Sequence, residues 1–505
     1  MSQIRVSHLT FCYDGSYDNV FEDVSFVMDT SWRLGFCGRN GRGKTTFLKL
    51  LMGEYDYSGE IVSSVGFEYF PYPVADASRS VLEILQQIAP QAEQWEIECE
   101  LSLLELREDI PSRAFSTLSH GEQTKALLAA LFLKENRFLL IDEPTNHLDM
   151  QARETVARYL CGKSGFILVS HDRSFLDDCT DHILSINRAE IEIQSGNFSS
   201  WYHNKELQDA FELEKNDKLK KEIKRLSAAA RQNADWSDKV EASKIGGHSG
   251  DRGRIGHLAA KMMKRSKSVE TRRNREIEEK STLLKNIETA DSLKLSPLVY
   301  HSKRLLSAQE LSLFYGETQV CQNVNFTLEQ GERIALCGRN GSGKSSILRL
   351  LCAPQNCVNR AENPKAQSEN EFGYHGALLC GSQLRISHLP QDASFLRGAL
   401  NDFIAENALE ESLFKAILRK LDFSRVQFEK DMADYSAGQK KKVLIAKSLC
   451  EKAHVYVWDE PLNYIDVLSR MQIEELLLQF VPTLLFVEHD RAFCAHIATK
   501  TVSLC

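Results

Sequence analysis

Gly38-Arg-Asn40-Gly41-Arg-Gly43-Lys44-Thr45 gathers glycines that leave backbone N–H groups uncovered, one ammonium and one hydroxyl. Such a set wraps a polyphosphate: the N–H groups curl around one phosphate, the lysine bridges to the next, and the hydroxyl ligates a hard divalent cation. It returns 300 residues later as Gly338-Arg-Asn340-Gly341-Ser-Gly343-Lys344-Ser345, and Thr46 and Ser346 follow the two copies as further phosphate-side hydroxyls. Ile141-Asp142-Glu143-Pro144 returns as Trp458-Asp459-Glu460-Pro461, offset by 317. In such a pair the first carboxylate holds the cation's shell and the second polarises an attacking water. His171 and His489, offset by 318, each follow an apolar stretch and are placed to sense a terminal phosphate. The chemistry expected is cation-assisted hydrolysis of a nucleoside triphosphate, with Glu143, Glu460, His171 and His489 in catalytic positions.

Each glycine-rich loop follows an apolar strand pattern (Leu34–Cys37, Ile334–Cys337) and opens a helical one from Phe47 and from Ile347. The carboxylate pairs and histidines also end apolar runs, which read as buried parallel strands. The chain is therefore two homologous α/β modules. The 17-residue difference between the first two offsets places an insertion after the second loop, and Cys352 to Cys380, rich in Asn, Pro, Gln, Ser and Gly, reads as a surface loop. At 505 residues, two or three domains are expected. Mean hydropathy is −0.32 and 43% of residues are hydrophobic, which excludes a disordered chain. No apolar run approaches the roughly 18 residues of a membrane span. Without an apolar segment near Met1, a cytoplasmic location is expected. Thirteen cysteines without a CxxC pair fit neither a disulfide framework nor a zinc site, and are expected as reduced core residues.

Between the modules, 201–295, proline thins out and Leu219, Ile223, Leu226 and Ala230 recur at helical spacing. A second helical run carries Leu258, Met262, Ile277, Leu284 and Ile287, and the glycines of Ile245–Ile255 break the helix between them. The pattern predicts a helical hairpin with its tip near 239–256. Lys218–Arg275 holds 17 Lys and Arg against 6 Asp and Glu, a local charge of +11 in a chain of net −8, so the remainder carries −19. That asymmetry points to a polyanion partner for the hairpin; a solvated helical face is the other reading of such a run.

Leu118-Ser119-His-Gly121-Glu-Gln123 and Tyr435-Ser436-Ala-Gly438-Gln439-Lys each precede an Ala- or Leu-rich helix. Taken with the loops and acids, these segments resemble the signature motif of ATP-binding-cassette ATPases, over residues 1–200 and about 300–505, which sets the second cassette at 296–505. The resemblance implies two tandem P-loop cassettes packed head to tail around two ATPs, with Mg2+ as the cation. One site would pair Lys44, Asp142 and Glu143 with Ser436, Gly438 and Gln439. The other would pair Lys344, Asp459 and Glu460 with Ser119, Gly121 and Gln123. Gly38, Asn40, Gly41, Gly43, Thr45, Thr46, Gly338, Asn340, Gly341, Gly343, Ser345 and Ser346 complete the phosphate sites. Tyr13 and Tyr315 sit where the family stacks an aromatic on adenine, and Asp149 and Asp466 where a loop couples the sites. Gln391 matches the glutamine that watches the metal and the water. The first cassette places Tyr72 there, so its metal sensing departs from the pattern.

Two cassettes joined by a basic helical linker are similar to the ABC-F subfamily, ribosome-associated ATPases. Asn40–Thr45, Gly196-Asn-Phe-Ser, Met263-Lys-Arg-Ser-Lys267, Trp458–Asn463 and Glu488-His-Asp490 resemble the Lsa-type antibiotic-resistance proteins. Those protect the ribosome: the linker enters the tRNA exit site and dislodges lincosamides, pleuromutilins and streptogramin A from the peptidyl-transferase centre. The partners implied are large-subunit rRNA and tRNA, with no membrane and no permease, and a monomer whose cassettes pair within the chain. A housekeeping ABC-F translation factor is the nearest alternative, and a transporter ATPase subunit one of another class. DNA-repair and chromosome-organising ATPases are disfavoured, since zinc modules or one split cassette would be needed.

Overall fold

The computed structural model describes residues 2–14, 19–146, 148–187, 190–242, 293–316, 318–352, 360–363 and 373–504. The chain divides into one unit of Met1–Ser199 with Ala290–Cys505, holding both modules, and a second of Ser200–Thr289.

The first module runs β1 (Gln3–Phe11), β2 (Phe21–Asp29), β3 (Arg33–Cys37), α1 (Lys44–Leu51), β4 (Ser58–Ser63), β5 (Gly66–Phe70), α2 (Val81–Ile88), α3 (Gln94–Leu103), α4 (His120–Phe132), β6 (Arg137–Asp142), α5 (Met150–Cys161), β7 (Phe166–Val169), α6 (Arg173–Cys179), β8 (His182–Asn187) and β9 (Glu190–Ser195). After α7 (Phe198–Ala242), the second runs β10 (Arg304–Tyr315), β11 (Thr318–Glu329), β12 (Arg333–Cys337), α8 (Lys344–Cys352), β13 (Arg360–Asn363), β14 (Gly373–Cys380), β15 (Ile386–Leu389), α9 (Leu400–Glu406), α10 (Glu411–Lys420), α11 (Ala437–Cys450), β16 (Val455–Asp459), α12 (Val467–Phe480), β17 (Leu484–Val487), α13 (Arg491–Ile497) and β18 (Lys500–Ser503).

In each module a parallel sheet forms the centre, in the orders β5-β6-β7-β3-β8-β9, whose last pair is antiparallel, and β15-β16-β17-β12-β18. Its strands are short apolar runs because both faces are covered: all four residues of β7 and of β17, and all five of β16, are buried. A small antiparallel sheet adjoins each, β2-β1-β4 and β11-β10-β14-β13. The central strands β3 and β12 lie between the strands that end in the switch histidines and the outer edge, so their glycine-rich loops open where neighbouring carboxyl ends converge. Phe47 locks the first loop from below. It is fully buried, with ring centroids 6.0, 5.8 and 5.6 Å from Phe21, Phe26 and Phe36. Truncating it would cost about 3–5 kcal/mol and release the start of α1. Ile347, equally buried, does this in the second module.

The reading of Cys352–Cys380 as a loop needs correction. Gly373–Cys380 is β14, paired antiparallel with β10 from Leu306↔Cys380 to Phe314↔Gly373, and Arg360–Asn363 pairs beside it. The polar composition disguised a strand covered on one face only. Cysteines also differ from expectation: Cys37, Cys179 and Cys321 are buried, but Cys12, Cys99 and Cys161 are exposed.

In the second unit, α7 is a single helix of 45 residues starting at Phe198. Leu219 and Ile223 lie on it. Of the expected tip at 239–256, residues 239–242 belong to α7, and the remainder falls outside the described residues together with the second helical run from Leu258.

Candidate active site

Both phosphate loops adopt the conformation their glycines permit. Gly43 and Gly343 have φ of 92° and 86°, and a Cβ on Gly43 would fall 2.6 Å from Val20. The Lys44 ammonium donates to the Gly38 and Arg39 carbonyls at 2.7 and 3.2 Å, and reaches Asn40 Oδ1 at 3.4 Å. Lys344 donates to Gly338 and Arg339, both at 2.8 Å. Burial draws both lysines below the ordinary lysine range, and surrounding carboxylates oppose it. Thr45 Oγ1 donates to Asp142 Oδ2 and Ser345 Oγ to Asp459 Oδ1, each at 3.0 Å. One hydroxyl beside one carboxylate suits a cation whose other ligands are water and phosphate oxygens, as Mg2+ prefers.

Glu143 and Glu460 share a backbone feature that a sequence does not display. Their φ values are 50° and 46°, in the left-handed region that non-glycine residues seldom occupy. Each is held there by its N–H, donated to Val169 at 2.9 Å and Val487 at 3.0 Å. The side chains then face the histidines: His171 Nε2 lies 3.3 Å from Glu143, and His489 Nε2 3.4 Å from Glu460.

The two carboxylates differ electrostatically. Burial, reinforced by the charge of Asp142, pushes Glu143 up to about 8, with Arg470 and Lys44 opposing. Burial also acts on Glu460, but His489, the Gln391 hydrogen bond at 2.8 Å and Lys441 outweigh it and hold the carboxyl down to about 2. Burial, with Lys44 and Arg470 adding to it, keeps His171 neutral by lowering it well below the usual imidazole range.

A cleft of about 1340 Å3 brings the Lys344 loop against the first module. Asn340, Gly341, Gly343, Lys344, Ser345, Ser346, Tyr315, Gln391, Glu460 and His489 line it together with Ser119 and Gly121. On the other side Asn40 Nδ2 donates to the Tyr464 carbonyl at 2.8 Å, and a Cβ on Gly438 would stand 3.5 Å from that same amide. Each phosphate loop thus meets the opposite signature segment. Ser119 and Ser436 cap α4 and α11 through reciprocal bonds with Glu122 and Gln439, so each helix N-terminus points into the junction. Asp149 and Asp466 cap α5 and α12 by accepting from the Ala152 and Ser469 N–H groups, each at 2.9 Å.

Several expected residues stand elsewhere. Gln123 turns inward, its amide donating to the Phe115 and Leu118 carbonyls at 3.1 and 3.2 Å, and it does not line the cleft. Tyr72 does not approach the carboxylates; its ring lies 5.4 Å from the Lys134 ammonium. Tyr69, three residues earlier and within β5, donates its hydroxyl to Asp142 Oδ2 at 2.9 Å instead. Tyr13 and Tyr315 are 43% and 39% exposed. Their hydroxyls bond Thr46 Oγ1 at 2.6 Å and Ser346 Oγ at 3.0 Å, which fixes both rings beside the loops.

Sequence reasoning also missed Arg153 and Arg470, although their offset of 317 equals that of the carboxylate pairs. Arg153 donates to Asp172 at 2.9 Å and, across the junction, to the His489 carbonyl at 3.1 Å. Arg470 donates to Asp490 at 3.0 Å.

The sequence model of the ABC transporter family matches residues 21–146 and again 321–463, more than half of the chain. The chain belongs to the ATP-binding-cassette family. It is an ATPase of the ABC-F type, with two cassettes on one chain. It is 28% identical to the Ribosome protection protein VmlR of Bacillus subtilis, over 95% of this chain and 83% of that protein. It is 24% identical to the Energy-dependent translational throttle protein EttA of Haemophilus influenzae, over 95% and 88%. Among solved structures, the archaeal ribosome recycling factor aABCE1, in complex with ribosomal stalk protein aP1, superposes with a TM-score of 0.61 at 18% identity, covering 98% of this chain and 87% of that one, which attests the shared fold. Among the described residues of this ABC ATPase, no helix is long and apolar enough to cross a membrane.

Proposed function

We propose that this ABC-F ATPase is a cytoplasmic ribosome-protection factor. It binds the ribosome in its ATP-bound state, extends the 201–295 linker through the tRNA exit site, and displaces lincosamides, pleuromutilins or streptogramin A from the peptidyl-transferase centre. The similarity to a ribosome protection protein along 95% of this chain carries the proposal. The +11 charge of Lys218–Arg275 supports a phosphate-rich partner, with Lys220 and Lys224 on the described helix and Arg231, Lys261, Lys264, Lys267 and Arg272 further along.

In this proposal each ATP lies between one loop and the opposite signature. Lys44 or Lys344 binds the terminal phosphates, and Thr45 with Asp142, or Ser345 with Asp459, holds Mg2+. That ion neutralises charge on the phosphates when bound. Glu143 and Glu460 orient and polarise water, and His171 and His489 present their imidazoles to the γ-phosphate. Gln391 fixes the Glu460 carboxylate. Hydrolysis removes the phosphate that bridges the cassettes, and the linker withdraws.

The test is translation in vitro with purified chain and ATP, with and without a lincosamide and a pleuromutilin. Restored synthesis in the drugged reactions, lost in the Glu143→Gln, Glu460→Gln double variant, is the expected result. That variant should also co-sediment with ribosomes in ATP. Ribosome binding with unchanged drug sensitivity would overturn protection in favour of a housekeeping translation factor; a double variant that sediments free would overturn the clamp.

A further inference from the structure

Lys441 borders the cleft of the Lys344 site, and its ammonium is spent on backbone. It lies at the start of the second turn of α11, 2% exposed, and its ammonium donates to the carbonyls of Pro390 at 3.0 Å, Gln391 at 3.2 Å and Asp459 at 3.2 Å. An ammonium has three protons to donate, and all three are spent on these backbone oxygens. What it holds is the turn that presents Gln391 and the strand end that presents Asp459 and Glu460, all of the site built on Lys344. What it is attached to is the helix whose N-terminal Ser436 and Gly438 face the other loop, at Asn40.

The neighbouring Lys442 reaches the other way. Its Nζ lies 3.4 Å from Asp466, a fully buried carboxylate whose charge acts on Lys44 and His171. Two consecutive buried lysines on one helix turn thus grip loops belonging to the two different ATP sites. The first cassette does not repeat the device. Thr124, at the same 317 offset, bonds only the His120 carbonyl one turn back, at 2.9 Å. Lys125 does parallel Lys442, donating to the Leu104 carbonyl at 3.1 Å.

We infer that Lys441 is a positioning residue that couples the two ATP sites in one direction: it fastens the Gln391–Glu460 machinery of the Lys344 site to the signature helix that closes the Lys44 site. A change around Glu460 then moves Ser436 and Gly438 with it, whereas Thr124 transmits nothing comparable from the first cassette. The inference rests on the assignment of the two composite sites proposed above.

The experiment uses the full chain with one site silenced at a time. In the Glu143→Gln background only the Lys344 site turns over. Here Lys441→Met should lower kcat for ATP by about tenfold with KM within about twofold, as for an interaction that serves the reacting geometry and not binding, and Lys441→Arg should recover at least half of the loss. In the Glu460→Gln background only the Lys44 site turns over, and the three carbonyls that the Lys441 ammonium bonds, those of Pro390, Gln391 and Asp459, all belong to the other site. Lys441→Met should nonetheless change its turnover by about threefold or more, while Thr124→Val stays within about 1.5-fold in both backgrounds. An unchanged Lys44 site would overturn the coupling. A matched fall in thermal midpoint and in both activities, not relieved by arginine, would overturn it in favour of a plain scaffold role. If the Glu143→Gln, Glu460→Gln double variant still hydrolysed ATP, the failure would lie in the site assignment itself.

Discussion

Removing the Arg153 guanidinium should unseat both switch histidines at once. Its Nε donates to the Leu148 carbonyl at 3.1 Å, and one terminal nitrogen serves Asp172 at 2.9 Å and the His489 carbonyl of the other cassette at 3.1 Å. Asp172 is 4% exposed, and burial together with the charge of Asp490 already pushes its carboxyl upward against the pull of Arg153. Breaking a buried pair by deleting one partner costs about 3–5 kcal/mol, because the other charge is left without a counterion. The Arg153 side chain keeps 12% exposure, so water offsets part of this, and about 3 kcal/mol is the expected net. At about 2–4 °C per kcal/mol for a domain of this size, Arg153→Ala should lower the thermal midpoint by roughly 6–12 °C. The stranded carboxylate then titrates still higher, and its charged form is what destabilises the fold. The deficit should therefore shrink as the pH falls and the proton returns. Adding Asp172→Asn should restore at least half of the loss. A midpoint within about 2 °C of the parent chain, or no rescue by Asp172→Asn, would refute the reasoning.

Two further outcomes follow from the unequal glutamates. Glu460 is held at about 2, against 4.5 for an ordinary glutamate, so its ionised form contributes stability that is full above pH 4.5 and lost as the pH falls toward 2. The excess thermal stability of the parent over Glu460→Gln, on the order of 3 kcal/mol at neutral pH, should shrink through that window; a constant difference would contradict the shift. Tyr69→Phe removes a donor that shares Asp142 Oδ2 with Thr45. In the Glu460→Gln background the Mg2+ concentration for half-maximal turnover should fall by roughly two- to tenfold, the equivalent of one hydrogen bond, and an increase would show that Tyr69 assists the metal.

The cassette framework was legible because its chemistry is written in contiguous residues. Gly38–Thr45 lies between an apolar strand and a helix, Asp142 and Glu143 end another strand, and the duplication repeats each element in order. The cleft lined by the Lys344 loop with Ser119 and Gly121 joins residues more than 200 apart, and it was reached only through the family resemblance. Misreadings arose where side-chain direction decides. Gln123 belongs to the signature stretch, but on α4 it points back to the Phe115 and Leu118 carbonyls. Tyr72 aligns with Gln391, yet Tyr69 reaches the carboxylate, because Tyr69 lies on β5 paired beside Leu140 of β6, two residues before Asp142, whereas Tyr72 lies beyond the end of the strand at Phe70. β14 was lost for a different reason. A strand with an exposed face and a central glycine carries little apolar signal, and pairing with β10 supplies what propensity does not.

Duplication gave both cassettes the same scaffold, and their differences collect around one carboxylate. At the Glu460 end, Gln391 donates to the carboxylate, His489 faces it, and Lys441 fastens the strand end below; the result is a strongly acidic, ionised glutamate. At the Glu143 end, the amide and the buried lysine are absent, Tyr69 engages Asp142, and burial favours the protonated form. A protonated glutamate does not polarise water as a base. On that ground turnover at the Lys44 site is expected to be slower than at the Lys344 site, and single-site turnover in the Glu460→Gln and Glu143→Gln backgrounds measures the difference. Restoring the missing groups tests this directly. Tyr72→Gln with Tyr69→Phe should raise turnover at pH 7 in the Glu460→Gln background by about fivefold, because lowering Glu143 by one unit from about 8 takes it from about one-tenth to about one-half ionised. If turnover stays at the parent level while nucleotide still binds, the difference between the sites lies outside these residues.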